Sequence, residues 1–372
     1  MRYRYAFALM LLLTACTSDD TVPTSAGGRG AVCFDTYVPT PAVSATRVAA
    51  AYDADGGIPS GGSIGVYAYY HDNSTWAADW AAEPRRTRPD FMLNQQATNA
   101  TPGSYYTYAP VKYWPNDGGD KVSFVAYYPY TNAANAAATG ITPQLAEDAA
   151  ALPSYAFTVQ TATSDQVDFL VSTLLSDLPN GTVAVMPSQA ADRSQLTTTD
   201  RVRFRLYHAT SKVIVSVVVS DELRERLVSF TASNIRIAGL HDSGTLAYTD
   251  GNTFAWSAQT GSQTYAFERG VPQLLLPQTL ADGVRLTMDY SLTFNTDGTV
   301  YRYDGSGQPV ALDQYTYTTT GASVQLNSVP AGAPITEWLP NHVYHYIIRL
   351  GADSIEFTGQ VAEWGEYIWV PL

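Results

Sequence analysis

Alternation of apolar and polar positions, rather than helical periodicity, runs along most of the chain. Ala31-Val-Cys-Phe-Asp-Thr-Tyr-Val38 alternates and carries β-formers, which predicts one strand inside the Thr-, Ser-, Gly-, Pro- and Ala-rich stretch 17–46. From about Ile58 the pattern strengthens. Ile64–Tyr70, Tyr105–Tyr108, Val122–Tyr128 and Ser154–Val159 read as strands from their β-branched and aromatic content. Turn chemistry such as Pro115-Asn-Asp-Gly-Gly119 separates them. Thr142 as a cap and Pro143 in a first turn predict a short helix over Pro143–Ala151.

A second series opens at Arg201-Val-Arg-Phe-Arg-Leu206, with Val202, Phe204 and Leu206 on one face and three arginines on the other. Lys212–Val219 is apolar on both faces and reads as a central strand of a packed sheet. Asp221–Leu227 predicts a brief helical turn, and strands recur at Asn234–Ala238, Gln273–Leu276, Arg285–Phe294, Ser323–Leu326, His345–Leu350 and Ser354–Val361. This spacing, without long amphipathic helices, predicts an all-β fold of two tandem β-sandwich domains. The break falls in Leu178–Asp200, which holds Pro179-Asn-Gly181, Pro187 and a polar run. The expected units are 48–190 and 191–372, preceded by residues 1–15 and 16–47.

Residues 1–15 have the architecture of a secretory signal. Arg2 and Arg4 form a basic start, Ala6–Leu13 a short apolar run, and small residues lead to Cys16. The run is too short to span a bilayer. Leu13-Thr14-Ala15-Cys16 resembles the lipobox of bacterial lipoproteins, which implies cleavage before Cys16 and lipidation of its thiol. Asp19-Asp20 just after it resembles the surface-export signal of Bacteroidales-type outer-membrane lipoproteins. With Cys16 lipidated, only Cys33 is left, and one cysteine cannot form a disulfide within the chain.

Composition narrows the function classes. Lys+Arg total 21 against 34 Asp+Glu, a formal net charge of −13, so the chain is a poor nucleic-acid binder. Charged residues make up 15%, against roughly a quarter in an average globular chain. No phosphate-binding loop, H-E-x-x-H or C-x-x-C is present. Gly61-Gly-Ser-Ile-Gly65 matches G-x-S-x-G but precedes a strand, whereas a nucleophile elbow opens a helix. His342 and His345 fall on opposite faces of a strand, which argues against a shared metal and for strand surface. Asp53-Ala-Asp55-Gly-Gly57 lacks the further ligands of a calcium loop. Glu363 and Glu366 are local to each other, unlike the carboxylate pair of a glycosidase. Neither an enzyme nor a cofactor is expected. Among 7 Trp and 26 Tyr, Trp76 and Trp80 read as loop aromatics able to contact a glycan or protein ligand.

Several signatures then line up in order: Ile64–Tyr69, Asp90–Gln96, Tyr113-Trp-Pro115, Val122–Pro129, Asp168-Phe-Leu-Val171, Val202–Val213, Leu275-Leu-Pro-Gln278, Trp338–Tyr344 and Val361-Ala-Glu-Trp364. Together with the lipobox, this set resembles the fimbrillin family of Bacteroidales-type bacteria. The resemblance implies transthyretin-like sandwich topology and a role in assembly: a lipoprotein precursor on the outer membrane, cut after an arginine, and joined to other fimbrial subunits by strand exchange. Arg47 matches the usual processing region, with Arg29 as the other candidate. Cleavage at Arg47 also discards Cys33. In Gly365–Leu372, Ile368, Val370 and Leu372 share one face, so this end is either a donated strand or the last strand of its own domain. The alternative reading is a surface tip adhesin or glycan-binding lipoprotein that does not polymerise, with a host glycan or protein as partner.

Overall fold

The computed structural model describes residues 31–38, 57–100, 106–115, 117–179, 201–328, 334–351 and 355–364. Over these residues the protein is all-β, with four sheets and only short helices. The first sheet runs β1 (Cys33–Tyr37), β9 (Arg201–His208), β7 (Leu170–Ser172), β4 (Lys121–Tyr128), β2 (Ser63–His71), β3 (Met92–Thr98), and β8 (Leu175–Pro179) also pairs β4. A second sheet, β13 (Phe254–Thr260), β12 (Ser243–Tyr248), β6 (Ser154–Thr158), β5 (Ile141–Gln144), packs on one of its faces. The third runs β15 (Gln273–Leu275), β10 (Ser211–Val219), β18 (His342–Leu350), β19 (Ile355–Glu363). The fourth, β14 (Gln263–Ala266), β11 (Leu227–Leu240), β16 (Arg285–Tyr303), β17 (Pro309–Gln325), packs against the third.

The alternation explains the layers. On β2 and β4, Tyr67, Tyr69, Val125 and Tyr127 face the second sheet, where the Tyr127 and Tyr155 rings lie 4.8 Å apart. Val66, Ala68, Phe124 and Ala126 face the other way and are also buried, beneath Tyr106 and Trp114. The first sheet is thus buried on both sides, which is why its central strands read as near-continuous apolar runs. β10 holds the same kind of position between β15 and β18, as its two apolar faces predict, and pairs β18 in parallel.

Several expectations change. The segment Pro143–Ala151 is not a helix. Pro143 lies in β5, at the edge of its sheet, where its missing N–H disrupts no ladder. Tyr106–Tyr108 contributes only an isolated bridge, Thr98 to Thr107. The strands expected at 234–238, 285–294 and 323–326 are far longer, reaching Leu227–Leu240, Arg285–Tyr303 and Pro309–Gln325. A short helix, α1 (Trp76–Ala81), occupies what reads as loop, capped by the Thr75 hydroxyl accepting from the Ala78 N–H at 3.2 Å. β9 lies beyond residue 190 yet joins the first sheet, and β12 pairs β6 across the same point.

Candidate assembly groove

β1 is the strand the sequence isolates, and the fold seats it completely. Val32, Phe34 and Val38 point into the core with Phe124, Leu170 and Phe204. The Phe34 ring lies 5.8 Å from Phe204, 5.2 Å from Tyr108 and 6.1 Å from Phe124. Ala31 and Cys33 point to the opposite side, where Val111 and Tyr113 cover them. All five of Ala31, Val32, Cys33, Phe34 and Val38 are 0% exposed.

Both backbone edges of β1 are held. One edge pairs in parallel with β9, Cys33 opposite Arg201 through Tyr37 opposite Arg205. On the other, the Tyr106 N–H donates to the Phe34 carbonyl at 3.3 Å and the Val32 N–H donates to Lys112 at 2.9 Å. Polar side chains fix the register. Asp35 receives the Arg203 Nε–H at 2.8 Å, with both side chains nearly buried. Thr36 Oγ1 bonds the Tyr106 hydroxyl at 2.7 Å, and the Tyr108 hydroxyl donates to the Val32 carbonyl at 2.6 Å. A slip of one residue would turn Phe34 out of the core and break the Asp35–Arg203 pair. The alternation of Arg201, Arg203 and Arg205 opposite the apolar face of β9 is the sequence signal for this site. Its acidic partner, 168 residues away, carries none.

The other predicted positions divide sharply. Cys16, Arg29, Arg47, Ile368, Val370 and Leu372 lie outside the described residues, as do Asp53, Asp55 and Glu366. Trp76 is not a surface ligand aromatic. It is 8% exposed, packed edge-on to Tyr69 at 5.1 Å. Its backbone N–H donates to the Asp177 carboxylate at 2.7 Å, which holds α1 against β8. Trp80 stacks on Trp76 at 5.4 Å and carries Arg85 over its outer face at 4.1 Å. Ser63 opens β2 and bonds Thr98 at 2.8 Å, so the G-x-S-x-G segment is a turn into a strand. His345 is not strand surface: it is 0% exposed and bonds Ser216 at 2.8 Å. Near β3, Asn94, Gln95, Gln96, Thr98, Thr107 and Tyr130 line an open polar cleft of about 470 Å³.

Two buried histidine pairs have no signal in the sequence, because their partners are distant or unremarkable in type. His71 bonds Asp79 at 2.6 Å and Ser123 at 2.9 Å, and Asp79 receives the Ser74 hydroxyl at 2.8 Å. This reproduces the order of a Ser-His-Asp relay. Ser123 is nevertheless 0% exposed and also accepts the Asp177 N–H, so no acyl group can approach it. The relay ties α1 to β2 and β4. His208 bonds Asp168 at 2.7 Å and stacks on Trp364 at 3.6 Å. Lys212 lies 5.2 Å over the same indole, and burial pushes its ammonium below the usual lysine value of 10.5. Here the end of β19 is fixed where the two sandwiches meet. Among the described residues no cluster of His, Cys, Asp or Glu could hold a metal ion, and no helix is long and apolar enough to cross a membrane.

The profile of fimbrillin-like proteins matches residues 46–364. The chain belongs to the fimbrillin-like family. That family is one of fimbrial structural proteins. A fimbrium subunit named Fim1C, from Phocaeicola vulgatus, is 29% identical over 121 residues, an alignment that covers 32% of this chain and 30% of that relative. A fimbrial protein from Bacteroides vulgatus shares the fold, with a TM-score of 0.57 at 15% identity, over 89% of this chain and 99% of that one. In this fimbrillin-like chain the matched region begins at residue 46, so β1, which fills the first core, lies outside it.

Proposed function

We propose that this fimbrillin-like protein is a structural or accessory subunit of cell-surface fimbriae that assembles by protease-triggered strand exchange and supports adhesion. The precursor is anchored to the outer membrane through lipidated Cys16. Cleavage after Arg47 frees β1, and a neighbouring subunit supplies a strand in its place. The residues of that strand are candidates Ile368, Val370 and Leu372. The observation that carries the reading is β1 itself: it is buried on both faces and bonded on both edges, yet precedes the matched region. Removing it would open an apolar groove beside the exposed edge of β9, and such an edge recruits a strand. A head-to-tail contact of this kind does not close and grows a filament.

Purified precursor treated with an arginine-specific protease is expected to form boiling-resistant ladders, and Arg47→Ala to abolish them. A cleaved wild-type protein that stays monomeric refutes strand exchange. The polar cleft beside β3 supports a second reading, a tip adhesin that binds a glycan, because side-chain amides match sugar hydroxyls. For that reading, Gln95→Ala/Gln96→Ala abolishes retention on a glycan array while the fold persists. An array with no wild-type signal removes it.

A further inference from the structure

The β16–β17 hairpin outgrows the sandwich that carries it. β11 pairs β16 only as far as Leu227 opposite Phe294. Beyond that point β16 pairs β17 alone, from Asn295 opposite Gln314 to Tyr303 opposite Pro309. Thr296–Thr299 bulge out of the ladder between Asn295 and Val300, so the arm extends about 20 Å past the last three-stranded level, at about 3.3 Å per residue over Pro309–Gln314. A two-stranded ribbon on its own is marginal in water.

The arm keeps the character of a covered face. Leu292 opposite Tyr317 and Phe294 opposite Tyr315 belong to the core side of the sheet. Tyr301 and Tyr303 pair with Ala311 and Pro309, which share that side with Tyr315 and Tyr317 by the period of two along β17. An aromatic stripe therefore leaves the core and continues uncovered. Tyr301 is 58% exposed and Tyr303 71%.

The opposite pole of the molecule carries the complement. β2 runs away from the junction, from Gly65 opposite Tyr127 to His71 opposite Lys121, and α1 follows. Next come Arg85, Arg86 and Arg88, all exposed. The arm bears Asp297, Asp304 and Asp313 against Arg302, all exposed. Arginines over aromatic rings already recur within the chain, Arg85 on Trp80 at 4.1 Å and Arg205 on Tyr207 at 5.0 Å.

We infer that the tyrosine face of the hairpin arm is a docking surface for the arginine loop 85–88 of a second copy of this chain. The contact joins the C-terminal pole of one copy to the N-terminal pole of the next, so it is heterologous and does not close. It rests on the fimbrial reading for its filament direction, but it needs neither cleavage nor strand exchange.

The test uses the uncleaved full chain in a Cys16→Ser background, with Cys33 buried in β1. Tyr303→Cys protein and Arg86→Cys protein are mixed under mild oxidation and run on a non-reducing gel. Mixed dimers are expected on the order of tenfold above either protein alone and above a Tyr303→Cys with Val361→Cys control, as hot-spot contacts allow. High salt lowers the yield, because the arm and loop carry opposite charge. In the same pair, Asp297→Lys/Asp304→Lys/Asp313→Lys lowers it on the order of tenfold. Yield no greater than the control overturns the inference, and so does Tyr303→Cys linking to itself as readily as to Arg86→Cys. Cross-links without protease ladders sustain the arm contact and sink strand exchange. Ladders without cross-links do the reverse.

Discussion

Phe34→Ala is the most direct probe of β1. The ring is fully buried, with three aromatic neighbours within 6.1 Å. Truncating a buried Phe to Ala costs about 3–5 kcal/mol, from lost transfer energy and the cavity left behind. Both backbone edges of β1 are bonded, so the site has little freedom to collapse and the cost belongs in the upper half of that range. Equilibrium urea unfolding of the intact precursor measures it, with the midpoint falling and the slope unchanged. Phe34→Leu keeps most of the volume and is expected to cost less than about 1.5 kcal/mol. The comparison is then repeated after cleavage at Arg47 and removal of the released peptide, where variant and wild type are the same molecule and must coincide. A loss below about 1 kcal/mol in the precursor would show that Phe34 does not fill this pocket. A difference that persists after cleavage would show that β1 stays bound.

Three further outcomes follow from the same structure. Gly140→Ala destabilises the protein by about 1–2 kcal/mol or more in thermal or urea unfolding, because φ is +69° there and a Cβ would meet the Thr158 carbonyl; an unchanged midpoint refutes it. Burial lowers the folded pKa of Lys212, so between that value and 10.5 the unfolded chain binds the extra proton and stability rises with pH. Wild type should therefore gain on Lys212→Met as pH is raised toward 10, and parallel pH profiles would refute the argument. Ser123→Ala removes a partner of both His71 and the Asp177 N–H and costs about 1–3 kcal/mol, while a fluorophosphonate probe leaves native Ser123 unlabelled; labelling in the folded chain would overturn the view that this relay is closed.

What was legible in the sequence follows from the physics of each element. β2, β4, β9 and β10 were readable because burial on one or both faces writes a period of two, or an unbroken apolar run, into local sequence. The outer half of the β16–β17 hairpin was not, because both its faces are exposed and the bulge at Thr296–Thr299 interrupts its period of two. α1 was hidden by brevity, its cap Thr75 being one Thr in a polar stretch. Trp76 read as a loop aromatic because nothing local reveals that Tyr69 and Asp177 close around it. In the groove, the β1 pattern and the arginine face of β9 were both visible, but their parallel register was not. Register is a long-range property, set here by Asp35 and Arg203.

That register also explains why a single cut could act as a switch on the proposed reading. β1 and the rest of its sandwich are joined only through residues 39–56, so while the link is whole the strand rebinds as an intramolecular partner. Tethering of this kind corresponds to an effective concentration on the order of millimolar. No neighbour's strand present at lower concentration can compete with contacts as complete as those of Val32, Phe34 and Thr36. Cleavage leaves every one of those contacts unchanged and removes only the tether. On the proposed reading the released peptide would then dilute away, and the groove would turn to whichever strand is held nearby. A docking contact between the poles of two subunits would supply that proximity again, in trans, by holding the neighbour in place before its strand enters. Cleavage and docking would in this way work on the same quantity, the local concentration of competing strands, rather than on the affinity of the groove.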